Sequence, residues 1–163
     1  MKPAVTPQPM ENTDPNIPND TDRELVITRQ FTVSRDQLFT VWSESGHLDN
    51  WWGPEDFKAE TASFDFVEGK SWEFTMTSPY GEFDNTVSYV KIKSPELIVY
   101  SLPGGLQTTV YIHEQDGKAF LIMALLFETP AEYREAINKY GATESGNLTL
   151  DRLAAYLHKT FAK

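Results

Sequence analysis

Hydrophobic and polar positions change period several times along this chain, and each change marks an element. Leu25, Ile27, Arg29 and Phe31 alternate with Glu24, Val26, Thr28 and Gln30, the period of two that predicts a strand, with order beginning near Arg23. Ser34, Gln37, Val33 and Leu38 then carry the spacing of a capping box and a hydrophobic staple, so a short helix starts there. Its apolar stripe is Leu38, Val41 and Trp42, and Gly46 is the expected exit in the left-handed conformation. The Trp51-Trp52 segment follows and ends at Gly53-Pro54.

From Phe57 to Phe127 short runs rich in aromatic and β-branched residues are separated by Glu68-Gly69, Pro79-Tyr80-Gly81, Ser94-Pro95, Pro103-Gly104-Gly105 and Asp116-Gly117. Turn chemistry at such intervals predicts an antiparallel meander. Six strands are expected, near Phe57–Phe66, Lys70–Thr77, Glu82–Lys91, Leu97–Leu102, Leu106–Glu114 and Lys118–Phe127. Helix returns where Thr129 can cap and Pro130 takes the first helical position, and Gly141 would end it. A last helix runs from about Gly146 towards Phe161, with Leu150, Leu153, Ala154, Leu157 and Phe161 on one face.

That order, one strand, two short helices, six strands, then a short and a long helix, predicts an α+β helix-grip fold. A curved seven-stranded antiparallel sheet would wrap on the long C-terminal helix, whose apolar stripe needs a sheet to cover. A bent sheet touching one helix does not close completely and leaves a cleft between them.

Composition narrows the function classes. The 163 residues give room for one domain with a sizeable core, and a formal charge of -10 repels phosphate backbones and anionic lipid heads, so neither nucleic acid nor membrane is an expected partner. With no cysteine, disulfides, thiolate catalysis and cysteine zinc sites are excluded. Residues 1–22 hold half of the ten prolines among Asn, Thr and Asp, and read as a disordered tail before a domain at 23–163. The N-terminus lacks an apolar signal core and no run approaches a membrane span, which predicts a soluble cytoplasmic protein.

Candidate chemistry is sparse. His47, His113 and His158 share no spacing for a metal site, and neither metal nor cofactor is expected. Gly69-Lys70-Ser71 has Phe64 where a phosphate loop needs its leading glycine. No Gly-x-Ser-x-Gly elbow is present. Glu73 alternates with Trp72, Phe74 and Met76, so it faces water if those three face inward. The candidate ligand-binding wall is Trp42, Trp51, Trp52, Trp72, Phe74, Met76, Leu150 and Leu153, with His113 as a strand residue that could face the cavity. An indole offers a flat face and a donor to an amphipathic guest. The run Lys118–Phe127 is apolar on both faces, and neighbouring helices or a homodimer contact would cover the second one.

Several of these features together resemble the activator of heat-shock protein 90 ATPase homologue-like family, within the START/SRPBCC (Bet v 1-like) superfamily. The carriers are Ile27–Phe31, Val41-Trp42-Ser43 leading to Trp51-Trp52-Gly53-Pro54, the hairpin Phe66–Phe74, Ser94–Leu97 and Leu150–Leu157. The resemblance implies a helix-grip fold with a hydrophobic cavity that relatives use for lipids, hormones or polyketides, for catalysis, or as part of a co-chaperone. Two departures stand out. Val67 and Gly69-Lys70 replace an arginine before a Gly-Gly turn, and Gly146-Asn147 replaces a Gly-Trp pair, which would enlarge the cavity and bring the Asn147 amide to its wall. The expected function is binding of a small hydrophobic or amphipathic molecule. The alternatives are a protein-interaction module acting on a chaperone ATPase and a cofactor-free cyclase or hydratase using Glu73, His113 or Asn147.

Overall fold

The computed structural model describes residues 22–161, so the proline-rich segment expected to be disordered lies, through residue 21, outside the described residues. Seven strands form one antiparallel sheet: β1 (Glu24–Phe31), β2 (Lys58–Phe64), β3 (Ser71–Ser78), β4 (Gly81–Lys93), β5 (Leu97–Leu102), β6 (Leu106–Gln115) and β7 (Lys118–Leu126). Their order is β1-β7-β6-β5-β4-β3-β2, a meander from β2 to β7 with β1 added at the far edge. The sheet is curved and open, and register shifts at Thr61/Ser63 and Tyr89/Lys91 are bulges, which bend the strands that carry them.

Helices α1 (Arg35–Trp42) and α2 (Ser45–Trp51) lie between β1 and β2, and α3 (Pro130–Asn138) and α4 (Ala142–Phe161) follow β7. Ser34 and Gln37 form the complete capping box that opens α1. Two helical boundaries differ from the sequence reading. Helix α1 stops at Ser43, so Gly46 falls inside α2 instead of ending a helix. The break is made at Glu44, whose extended backbone (φ -137°) begins α2 as its N-cap. Helix α4 starts at Ala142, just after Gly141 with its φ of 62°, and Gly146 is therefore an internal helical residue.

Alternation decides which face of each strand is buried. Trp72, Phe74 and Met76 are buried on β3 while Glu73 is exposed, and Val110 and Ile112 are buried on β6 while Tyr111 and His113 are exposed. Leu150, Leu153 and Leu157 of α4 meet this inner face and are almost fully buried. On the second face of β7, Ile122 and Ala124 are buried while Phe120 and Leu126 are half-buried. Ile122 and Ala124 are 5% and 2% exposed, and their cross-strand neighbours are Thr28 and Tyr111 for Ile122, and Val26 and Thr109 for Ala124. Burial of these two residues therefore requires no second copy.

Candidate functional site

An aromatic cluster fills one end of the space between sheet and helix. Trp72 stacks on Phe74 at 4.0 Å between ring centroids, Trp52 meets Trp72 edge-on at 5.0 Å, and Trp42 meets Trp51 edge-on at 4.8 Å. Only a void of about 10 Å³ remains among Trp42, Trp52, Trp72, Tyr89 and Tyr100. Towards the start of α4 the rings part, leaving a cleft of about 230 Å³ open to solvent on one side. Its walls are Trp42, Trp51, Trp52, Gly53 and Pro54 on one side and Ser145, Gly146, Thr149 and Leu150 of α4 on another. Tyr100, Leu102, Thr108, Met123 and Leu125 form the floor on β5, β6 and β7.

Each wall is held by a definite contact. Gly53 has a φ of 89°, and a Cβ there would stand 2.8 Å from Met76 Cε, so only glycine lets the Trp52–Pro54 segment lie down on β3. Arg152 of α4 ties the same segment from the other side: its Nη1 donates to the Phe57 carbonyl at 2.8 Å and to the Pro54 carbonyl at 3.0 Å. Burial lowers the guanidinium pKa from its ordinary value, with the Glu55 carboxylate acting in the opposite direction. Helix α2 is pinned by His47 Nδ1 and the Tyr156 hydroxyl, 2.6 Å apart, and by Asp49, which accepts from Thr61 Oγ1 at 2.7 Å. Thr61 Oγ1 in turn accepts from Trp72 Nε1 at 2.9 Å. At the floor, burial raises the Tyr100 phenol above its usual range, and a hydrogen bond with Thr108 opposes the rise.

Four of the sequence-derived wall residues line the cleft: Trp42, Trp51, Trp52 and Leu150. Trp72, Phe74, Met76 and Leu153 are inward but packed away from it, because the aromatic stack fills their end of the interior. His113 is exposed on the outer face of β6, one residue out of phase with Ile112. The Asn147 amide is also turned from the cleft, since its Nδ2 donates to the Thr143 carbonyl and its Oδ1 accepts from Arg29. Glu73, His113 and Asn147 thus sit on β3, β6 and α4 in separate environments, and nothing brings them together as acid and base. Val67, which the family resemblance sets in the place of an arginine, is 51% exposed at the β2–β3 connection. Among the described residues no group of three or more His, Cys, Asp or Glu could hold a metal ion, and no helix is long and apolar enough to cross a membrane.

Arg152 and the lining residues Ser145, Gly146 and Thr149 escape a reading by hydrophobic stripe, which discards polar and small positions. The signal available was Gly141 as the break just before α4, which starts the helix at Ala142 instead of Gly146 and adds one more turn over the sheet.

The bent antiparallel sheet, the long closing helix and the cleft between them define an α+β protein of the helix-grip class. Residues 32–158 match the family described as activator of Hsp90 ATPase homolog 1-like protein, and the chain belongs to that family. Among solved structures, a protein from Nitrosomonas europaea superposes with a TM-score of 0.80 at 15% identity, covering 88% of this chain and 99% of that one. One from Arthrobacter aurescens gives 0.76 at 17% identity over 86% of this chain and 88% of that one. An AHSA1-like protein from Aeromonas hydrophila gives 0.66 at 16% identity, covering 83% and 93%. At these identities the likeness is one of fold. No curated protein matches.

Proposed function

We propose that the protein binds one small, mainly apolar molecule in the cleft between the first turns of α4 and the Trp51–Pro54 segment. The observation that carries this reading is a lining of indoles, aliphatic side chains and small helical residues with no charged group in it. Apolar concavities with a few placed polar groups are the usual form of a small-molecule site. Size limits the guest. At about 230 Å³ the cleft lies below the usual range for drug-sized ligands, roughly 300 Å³ upward, and above the roughly 150 Å³ that admits benzene. A single ring with a short arm fits that interval better than a sterol or a long acyl chain.

Native mass spectrometry of protein from its own host should show a retained guest of that size. Binding of 4-fluorotoluene, followed by ¹⁹F line broadening, should be lost in Thr149→Phe, which fills the cleft from a half-buried helical position. Equal binding by wild type and variant would overturn the reading. Family membership favours a second one, an auxiliary that stimulates a chaperone ATPase. The two part at the same variant, because stimulation of Hsp90-type ATP hydrolysis through an outer surface would survive Thr149→Phe.

A further inference from the structure

A second concavity, of about 260 Å³, lies at the end of the sheet where β4 turns into β5. It shares no lining residue with the α4 cleft. Strand register builds it. Lys93, Leu97 and Tyr111 are successive cross-strand partners on β4, β5 and β6, so they stand in one row on the outer face, opposite to the buried Val110 and Ile112. Lys91 and His113 lie two residues from Lys93 and Tyr111 and share that face. Arg35 reaches the same corner from the first turn of α1, because its backbone N–H donates to Glu114 Oε1 at 2.7 Å, and Glu114 follows His113 on β6.

Charge sets this corner apart. The chain has 14 Lys and Arg against 24 Asp and Glu, yet three of those 14 converge here, with Glu96 as the one carboxylate in the wall. Glu96 is committed to Lys93, 3.2 Å from its Nζ. Lys91 and Arg35 have no such partner: among the described residues neither side chain makes an ion pair or a hydrogen bond, and Arg35 Nε is buried without an acceptor. A half-buried guanidinium without a counter-charge is a costly arrangement that an oxyanion relieves. Two uncompensated cations suit a phosphate monoester, which carries about -1.5 to -2 at neutral pH, better than a singly charged carboxylate. Tyr111, 41% exposed, and the half-buried Leu97 add an apolar wall that inorganic phosphate would leave unused. The formal charge of -10 does not oppose this, because at about 0.1 M salt charges are screened beyond roughly 10 Å and the nearest cations decide.

We propose that this corner is a binding site for a small phosphate monoester on an aromatic or apolar body, its phosphate held by Arg35 and Lys91 with Lys93 beside them, and its body laid against Tyr111 and Leu97. The site is separate from the α4 cleft and stands whether or not that cleft takes a guest. The competing account is that these cations are solvated surface charges without a ligand, the common state of lysine.

The test titrates phenyl phosphate, benzoate and inorganic phosphate into ¹⁵N-labelled full-length protein at low salt. Phenyl phosphate should move the Tyr111 and His113 backbone amide resonances and bind about tenfold tighter than either other probe. Arg35→Gln combined with Lys91→Gln should weaken it by at least about thirtyfold, and Lys91→Gln alone, at an exposed strand position, by about tenfold, which guards against a double variant that fails to fold. Binding of 4-fluorotoluene to the α4 cleft should be the same in wild type and variants. If 4-fluorotoluene binds none of them while phenyl phosphate behaves as expected, the cleft reading fails alone and this site stands. Benzoate binding as tightly as phenyl phosphate would overturn the phosphate assignment, and inorganic phosphate doing so would overturn the apolar wall. Affinity for phenyl phosphate unchanged in the variants, or no saturation at millimolar concentration, would overturn the site itself and leave solvated charges.

Discussion

Arg152 Nη1 lies 2.8 Å from the carbonyl oxygen of Phe57, a bond spanning 95 residues that joins the closing helix to the segment it closes upon. Because the same nitrogen reaches the Pro54 carbonyl at 3.0 Å, one side chain satisfies backbone acceptors at both ends of the loop that walls the cleft. Charge-assisted hydrogen bonds of this kind contribute about 1.5–3 kcal/mol. Arg152→Met keeps the aliphatic stem and removes the donors. It should lower unfolding free energy by about 2 kcal/mol in urea titrations and weaken guest binding, because Gly53 and Pro54 are no longer held down. Full stability with unchanged binding would show that the tie is redundant.

Trp72 tests a different kind of anchor. Its Nε1 donates to Thr61 Oγ1, which donates onward to Asp49 on α2, so a single hydroxyl couples the fully buried indole to the helix above β2. Thr61→Val preserves shape and strands the indole N–H, at an expected cost of about 1–3 kcal/mol. Thr61→Ser should recover most of that loss in thermal unfolding. Equal losses in both variants would mean that the methyl contact, not the hydroxyl, does the anchoring.

The contrast between those two anchors shows what the sequence made legible. Alternation on β3 placed Trp72, Phe74 and Met76 inward and Glu73 outward, and the stripe Leu150–Leu153–Leu157 placed α4 on the sheet, because side-chain parity and helical period are local and rigid. Parity alone does not say how far along a strand a cavity extends. Trp72 and Phe74 stack on each other and fill their end, whereas Trp42 and Trp51 border open space, and only the packed rings reveal that difference. His113, expected as a strand residue that could face the cavity, lies on the outer face because Ile112 beside it takes the inner one. Asn147 was drawn outward by Arg29, a partner 118 residues away that no local pattern announces.

Gly146 of α4 faces Ile27 of β1, and a Cβ there would stand 2.5 Å from Ile27 Cδ1. Replacing a helical glycine by alanine is worth up to about 1 kcal/mol in backbone terms, so Gly146→Ala sets that gain against an overlap with the movable end of one side chain. The two should nearly cancel. In an Ile27→Val background, where Cδ1 is gone, the same Gly146→Ala change should stabilise by close to the full amount. A double-mutant cycle measured by urea unfolding gives the coupling directly, and absence of coupling would mean that α4 moves away as a body.

Tyr89 and Tyr100 make the protein sensitive to alkali. Both phenols are 4% exposed, and burial raises their pKa values above the ordinary 10.0, aided at Tyr89 by the neighbouring Tyr100 and opposed at Tyr100 by Thr108. The folded protein therefore keeps two protons that the unfolded chain releases once pH passes about 10. Their contribution to stability is complete below that pH and is lost as pH rises above it, with a slope approaching about 1.4 kcal/mol per pH unit for each tyrosine. Urea unfolding between pH 9 and pH 11.5, on the alkaline side of the unfolded-state value of about 10, should show this decline, and Tyr89→Phe should remove roughly half of it. A stability that stays flat through pH 11 would mean that water reaches both hydroxyls, and that the aromatic floor beneath the cleft is looser than its packing indicates.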